Sequence, residues 1–516
     1  MKAIIIGSGI SGLTAAATLA QKGFEVSVFE QFSQVGGVTA PFQQDGFRWD
    51  LGQLLVEGFG ADEPAGAVLA KLGVLELINT QVDDRGYIFP DFEIKKPVEF
   101  GGIRWRIDEL KRLFPEEGNG LERYWRDYLR FTRVMTIARR LEKATGLQAL
   151  ALNARLYLTL LPLLPKKDWS AQRLMDDYFH SEKLKSVFVS ILADFFTPPS
   201  QFPGLGVFAL NPEPSFDKRM PKKLADGAEQ LFHYSILGGI GTLVDGLVKV
   251  IEEYGGQVYT HRPVSKIFVQ NHHVTGVIDQ KGEFTPADLV IASGGAKETF
   301  FKLVGKENLP EDFAARVSSI ALMDSIFMLQ LGLDYDPSPY MRGVCTYFYG
   351  TYDIEGGIAE SKSGLFHEGK AGFVVHLPSL HTPSMARAGC QAMTIYTICP
   401  DRLKTGSWGE LKEGYTDKLL AYAEQRIPGL REHIRSIYIL TPEDFRKRTH
   451  LDHHAFGGIA PLLGAWKVPH QTPVNGLWFV GAQSESGGGV GSVLTAAYKT
   501  AKKAAISVES DPKYRP

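Results

Sequence analysis

The chain begins MKAIIIGSGISGLTAAATLAQKGFEVSVFEQ, and these 31 residues constrain the fold more than any other stretch. Lys2 to Ile6 is a short, mostly apolar run suited to a buried parallel strand. Gly7, Gly9 and Gly12 then form G-x-G-x-x-G, with Ser8, Ile10 and Ser11 between them. A helical stretch carrying Ala15 to Ala17 follows, and Gly23 stands where a helix C-cap would. A second strand, Glu25 to Phe29, leads to Glu30 and Gln31. Strand, glycine turn, helix, strand and acid in that order predict a βαβ unit.

Each glycine has its own reason to be there. Gly7 permits the tight turn from strand to helix, Gly9 lets a pyrophosphate approach the backbone, and Gly12 lets helix and strand pack closely. The helix N-terminus offers unpaired N–H groups and a partial positive charge to phosphate. Glu30, 18 residues after Gly12, is placed to accept hydrogen bonds from ribose hydroxyls.

Beyond Glu30 the chain reads QFSQVGGVTAPFQQDGFRWDLGQ, with Gly36-Gly37 soon after the second strand and Asp50 and Gly52 after a hairpin-like stretch. In this it resembles FAD enzymes of the amine-oxidase and phytoene-desaturase superfamily. There a similar glycine pair approaches the cofactor's phosphates and flavin. The resemblance implies FAD rather than NAD. Val38 departs from it, because many relatives carry a basic or small residue at that place.

The C-terminal segment NGLWFVGAQSESGGGVGSVLTAAYKTAKKAA repeats the logic of strand, glycine and helix. Leu477 to Val480 is a strand ended by Gly481, Gly487 to Gly489 with Gly491 make a glycine-rich turn, and a helix follows from Ser492. A helix N-terminus aimed at the isoalloxazine can stabilise negative charge there. Between the two ends, GGIGTLVDGLVKVIEEYGG predicts a helix, followed by a strand at Val258 to Thr260. Val264 to Val269 and Val274 to Asp279 predict a hairpin around Asn271-His272, and Leu289 to Ala292 a buried strand. His272 and His273 read as exposed turn residues. The resemblance narrows here to phytoene desaturases, carotenoid cis-trans isomerases and retinol saturases. It assigns to the cofactor Gly7, Ser8, Gly9, Ile10, Ser11 and Gly12; Glu30, Gln31, Gly36, Gly37 and Val38; Val264; and Gly481, Ala482, Gly489, Val490 and Val493.

The expected fold class is α/β. A discontinuous Rossmann-like FAD-binding domain takes residues 1–60, 226–300 and 471–510, and a mixed α+β substrate domain with a helical region takes 61–225 and 301–470. At 516 residues two or more domains are expected. Residues 61–225 show helical, aromatic patterns with few strand signals, and TPPSQFPGLGVFALNPEPSF reads as an ordered irregular loop. Strands are expected at Ser325 to Leu331 and Met393 to Thr397, and a helix near Tyr415 to Arg426.

A formal net charge of -2 gives no global pull towards nucleic acid. Three cysteines, Cys345, Cys390 and Cys399, form no C-x-x-C or metal-ligand pattern, so neither a disulfide framework nor a metal site is expected. The first strand starts at residue 2, so the expectation is no signal peptide and a cytoplasmic location. No uninterrupted run of 18 apolar residues predicts a transmembrane helix. The nearest approach is Leu147 to Trp169, an apolar stretch closed by Lys166, Lys167 and Trp169. It reads first as a helix packed in the core or lining a substrate tunnel, with peripheral membrane contact as the alternative.

The chemistry implied by the resemblance is oxidoreduction at carbon–carbon bonds of a hydrophobic isoprenoid or carotenoid-like substrate: desaturation, saturation or redox-neutral cis-trans isomerisation. The flavin would carry the hydride step. With no second dinucleotide motif, electrons would pass to oxygen, a quinone or another soluble acceptor, or cycle with no net transfer. Two alternatives stand beside this: a flavin amine oxidase acting on a smaller polar substrate, and a non-catalytic prenyl-binding protein. No catalytic acid or base is assigned; Glu485, Arg448 and His450 read as surface or structural residues.

Overall fold

Ala3, Ile4 and Ile5 are almost fully buried because the first strand, β1 (Lys2–Ile6), is the central strand of a five-stranded parallel sheet. The computed structural model describes residues 1–52 and 54–510. Across the sheet the order is Leu477–Val480, Leu289–Ser293, β1, β2 (Glu25–Phe29) and Gln257–Tyr259, with Ile5 level with both Ile291 and Val28. Both faces are covered, which is why the strands read as continuous apolar runs. On one face lie α1 (Ile10–Gln21) and the helices Gly241–Glu253 and Val490–Glu509. The small residues Ala15, Ala16 and Ala17 are fully buried in that layer. On the other face an antiparallel sheet of Val264–Gln270, His273–Asp279 and Phe284–Pro286 packs Ile267 and Val277 against Ile4, Val290 and Phe479. The hairpin turns through Asn271 and His272, both left-handed at φ 48° and 61°, a conformation asparagine tolerates better than most residues.

A six-stranded sheet forms the second layer. Its order is Ile434–Leu440, Ser325–Leu333, Gln391–Cys399, Gly372–His376, Cys345–Tyr349 and Arg85–Ile88. Only the last pairing is parallel, Cys345 lying beside Arg85. One face packs Phe327, Val375 and Ile395 against the helix Trp408–Glu424. That helix starts well before Tyr415, at a Ser407 N-cap whose capping box with Glu410 satisfies two backbone N–H groups. The opposite face carries Met328, Tyr347, Tyr349 and Tyr396 and looks towards the first domain. The helix Gly118–Leu141 and its neighbours bury the Arg106–Glu213 ion pair, in which two nitrogens meet two oxygens at 3.0 and 2.7 Å.

The region 61–225 is mostly helical, as its pattern predicts, and holds two short strands, Thr80–Asp83 and Arg85–Ile88, each paired to a distant partner that four residues of local pattern cannot announce. One expectation is corrected. Leu147 to Trp169 is not packed in the core along most of its length, and only Leu163 and Trp169 near its end reach it. The helix Gly146–Leu160 has no buried residue, and Leu147 and Leu158 are 85% and 68% exposed. By length and composition Gly146–Lys166 also meets the requirement for crossing a membrane, despite its interruptions. Its apolar residues lie all round the helix, so periodicity alone pointed inwards.

Candidate functional site

The carboxyl ends of β1, Leu289–Ser293 and Leu477–Val480 converge on one crevice, the place where open α/β sheets bind ligands. Gly7 turns out of β1 at φ +93°, and a Cβ there would collide with the carbonyl oxygen of Ser293. A Cβ on Gly12 would collide with the carbonyl oxygen of Gly7, so helix and strand close only around glycine. Gly9, the N-cap of α1, faces open space, with no heavy atom within 4 Å of where its Cβ would stand. The first turn of α1 thus presents its N–H groups on a side where no protein atom crowds Gly9.

Glu30 is buried at the tip of β2. Its Oε2 accepts from the amide and hydroxyl of Ser8 at 2.9 and 2.5 Å, and its Oε1 from the amide of Phe32 at 2.8 Å. One lone pair of Oε1 stays available to a ribose hydroxyl. Gly36, at φ +107°, donates its amide to the carbonyl of Ser8 at 3.0 Å, which lays Gly36-Gly37 directly over Gly9. Arg448 locks that loop from the far end of the chain: its Nε donates to the carbonyl of Gly37 at 2.8 Å and it stacks over Phe32 at 4.7 Å. Its Nη2 is buried without a partner. An open approach at Gly9 and an orphaned guanidinium nitrogen beside the glycine loop both suit an anionic dinucleotide.

The remaining expected cofactor residues fall at different depths. Ile10 and Ser11 are buried in the first turn of α1, and the hydroxyls of Ser11 and Ser293 lie 2.8 Å apart. Gly481 abuts Ser11, and the carbonyl of Ala482 accepts from the amide of Ile459 at 3.0 Å. Gly489 caps the helix Val490–Glu509, and Val490 and Val493 are buried in its first turn. Val38 is half-buried, with its carbonyl against Gly52. Gln31 turns its side chain to the carbonyl of Thr449 at 2.6 Å. Val264 follows two residues after Arg262, whose amide donates to the carbonyl of Glu30 at 2.8 Å. Glu485 is exposed and holds the amide of His470 at 2.9 Å, and His450 caps a helix in the left-handed region.

Several buried or half-buried ionisable groups adjoin this crevice, and of them only Asp50 stood out in the sequence. Glu57 meets Gly489, and a Cβ there would stand 3.2 Å from its Oε1. Burial raises the Glu57 carboxyl, while the charge of Arg85 opposes the shift. Burial likewise pushes Asp50 up to about 6, although it accepts from the amide of Ile240 at 3.0 Å. Burial depresses His233 to about 3, so it is neutral; its Nδ1 lies 2.8 Å from the Ser215 hydroxyl. On the inner face of the large sheet, Tyr396 donates to Oδ2 of Asp194 at 2.9 Å, and burial raises Asp194 to about 6. Glu57, Asp194 and Tyr396 stand at no motif spacing, and only the fold brings them to this region.

Comparison with known proteins matches residues 10–300 to the family described as flavin containing amine oxidoreductase. The neurosporene-forming phytoene desaturase of Cereibacter sphaeroides is 26% identical, covering 98% of this chain and 94% of its own. The pyridine nucleotide-disulfide oxidoreductase domain-containing protein 2 of Rattus norvegicus is 25% identical, over 95% and 90%. Among solved structures, an oxidoreductase from Methanosarcina mazei superposes with a TM-score of 0.62 at 18% identity, over 97% of this chain and 100% of that one.

Proposed function

The chain belongs to the flavin-containing amine oxidoreductase family and is an FAD-dependent oxidoreductase, and we propose that it adds, removes or shifts hydrogen at carbon–carbon bonds of an isoprenoid, carotenoid-like chain. The observation that carries this reading is the helix Gly146–Leu160. An isoprenoid dissolves in a bilayer and hardly in water, so its enzyme needs a surface that meets lipid. This helix leans on the helix Gly118–Leu141 and turns Leu150, Tyr157 and Leu158 outwards, with Leu161, Lys166 and Lys167 beyond its end. End-to-end similarity to a phytoene desaturase supports the same substrate class. We place the chain at the cytoplasmic surface of a membrane, a reading supported by three cysteines that are all unpaired.

Bound flavin supplies the hydride acceptor or donor. The protein's own groups do the rest. The first turn of Val490–Glu509 points its partial positive charge into the crevice. Tyr347, Tyr349 and Tyr396 give the facing sheet an aromatic floor on which a polyene can lie. When a hydride leaves one carbon, a proton leaves its neighbour. Asp194, paired with Tyr396 and close to half-ionised near pH 6, is the carboxyl suited to take it at Oδ2.

The test is to give flavin-loaded protein acyclic polyenes in liposomes, with air or a quinone as acceptor, and follow the extract by chromatography and visible absorption. A product whose conjugated length differs from the substrate's is expected. Peroxide formation with a primary amine, and no change in any polyene, would replace this reading with amine oxidation. Co-sedimentation with the same liposomes tests the membrane contact, and protein left wholly in the supernatant would remove it.

A further inference from the structure

The edge strand Arg85–Ile88 borders a cavity of about 410 Å³. Its wall is aromatic, formed by Tyr87, Trp105 and Phe216, and its mouth is basic, with Lys95, Lys96 and Arg342. Each cation at the mouth has a carboxylate. Lys95 and Arg342 share Glu93 at 2.7 and 2.6 Å, and Lys96 holds Asp84 at 2.5 Å.

Arg85, on the wall, differs. It is 8% exposed and lies over the rings of Tyr87, Phe216 and Tyr347 at 5.5, 5.5 and 5.8 Å. Its Nη2 donates to the carbonyl of Leu210, its Nε is buried without a partner, and among the described residues no carboxylate pairs with it. Glu57 and Asp194 feel its charge from beyond ion-pair distance, and burial drives both towards the neutral form. Two more donors beside it are orphaned, the Tyr87 hydroxyl and the Trp105 indole N–H. A buried guanidinium without a counter-charge, flanked by unpaired donors on one cavity wall, is unfavourable until an acceptor arrives. A neutral hydrocarbon satisfies none of these groups, whereas a carboxylate can satisfy several at once.

We propose that this cavity receives the carboxylate end of an amphipathic isoprenoid, with Arg85 as the group that reads the charge. The apolar chain would run along Tyr87, Trp105 and Phe216. The inference rests on the isoprenoid reading above and sharpens it from a hydrocarbon to a chain with an acidic terminus.

Titration calorimetry of the flavin-loaded protein with geranate, geraniol and acetate tests it. Geranate is expected to bind at least tenfold more tightly than either of the others. Arg85→Gln is expected to lose the preference for acid over alcohol, and Arg85→Lys to keep part of it, both with an unchanged visible flavin spectrum. Geraniol binding as tightly as geranate would overturn the charge readout while leaving the isoprenoid reading intact. Acetate matching geranate would overturn the proposal in favour of a free-anion site, and a preference retained in Arg85→Gln would remove Arg85 from it. The wild-type comparison decides on its own if Arg85→Gln does not fold.

Discussion

The amide and the hydroxyl of Ser8 both donate to a single oxygen of Glu30, at 2.9 and 2.5 Å. The G-x-G-x-x-G turn and the acid that follows β2 are therefore one hydrogen-bonded unit rather than two separate motifs. Hydrogen bonds to a charged group contribute roughly 1.5–3 kcal/mol each. Glu30→Gln is expected to weaken FAD retention about tenfold or more, read as the flavin-to-protein absorbance ratio and by titrating the apoprotein. A variant that keeps a full complement of flavin would refute this coupling.

Gly9 and Gly12 separate binding from folding. A Cβ at Gly12 runs into the Gly7 carbonyl, whereas a Cβ at Gly9 meets nothing in the protein. Gly12→Val is expected to lose soluble, folded protein, since overpacking costs about 1–3 kcal/mol or more. Gly9→Val is expected to give an apoprotein with a near-wild-type circular dichroism spectrum and no flavin. Loss of fold in both, or of flavin in neither, would contradict this division.

Asp194 makes stability depend on pH in an unusual direction. Its carboxyl is raised in the fold to about 6 from an ordinary 3.8. Between those values the native state holds a proton that the unfolded chain has released, so this group destabilises the fold as pH rises and does so fully above pH 6. The penalty at neutral pH is roughly 2–3 kcal/mol. His233, His376 and His454, buried and neutral, act in the opposite direction, because they oppose folding as pH falls below 6.5. The variant comparison isolates the carboxyl: Asp194→Asn should be more stable than wild type at pH 8 and lose that advantage by pH 4. An unchanged difference across that range would show that Asp194 does not carry it.

Arg106 and Glu213 form the most deeply buried ion pair among the described residues, at 0% and 1% side-chain exposure. Removing one partner leaves an uncompensated charge, which costs about 3–5 kcal/mol. Glu213→Gln should therefore lower the denaturant midpoint markedly. Glu142→Gln, which breaks an exposed pair with Lys499, should barely move it.

Leu150 and Leu158 are both 68% exposed. Replacing both by Glu is expected to abolish liposome binding and to shift the melting temperature by no more than about 2 °C, since surface changes usually stay within ±0.5 kcal/mol. A large loss of stability would mean that the helix is packed in solution after all.

What was legible in the sequence was local. The turn from Gly7 to Gly12, the acid at Glu30 and the hairpin through Asn271 and His272 all lie within short windows whose spacing carries a backbone requirement. The strand Arg85–Ile88 was not legible, because its partner Cys345–Tyr349 lies some 260 residues away and four residues beginning with arginine resemble no strand. The helix Gly146–Leu160 misled for a different reason. Apolar composition signals burial in something, and nothing in the spacing says whether that is protein or lipid. Glu57 and Asp194 were silent because an isolated acid acquires its character from the walls the fold builds around it.

The grip of Arg448 on the Gly37 carbonyl and the contact of Gly481 with Ser11 bear on how the protein is made. One wall of the cofactor cradle is written at Gly7 to Gly12 and another at Gly481, about 470 residues later. At about 5–20 residues per second, roughly 25–95 s separate their appearance on the ribosome. A nascent chain carrying Gly7 to Gly12 holds only half a cradle through that interval, and messages truncated before residue 481 should yield apoprotein however complete their N-terminal motif.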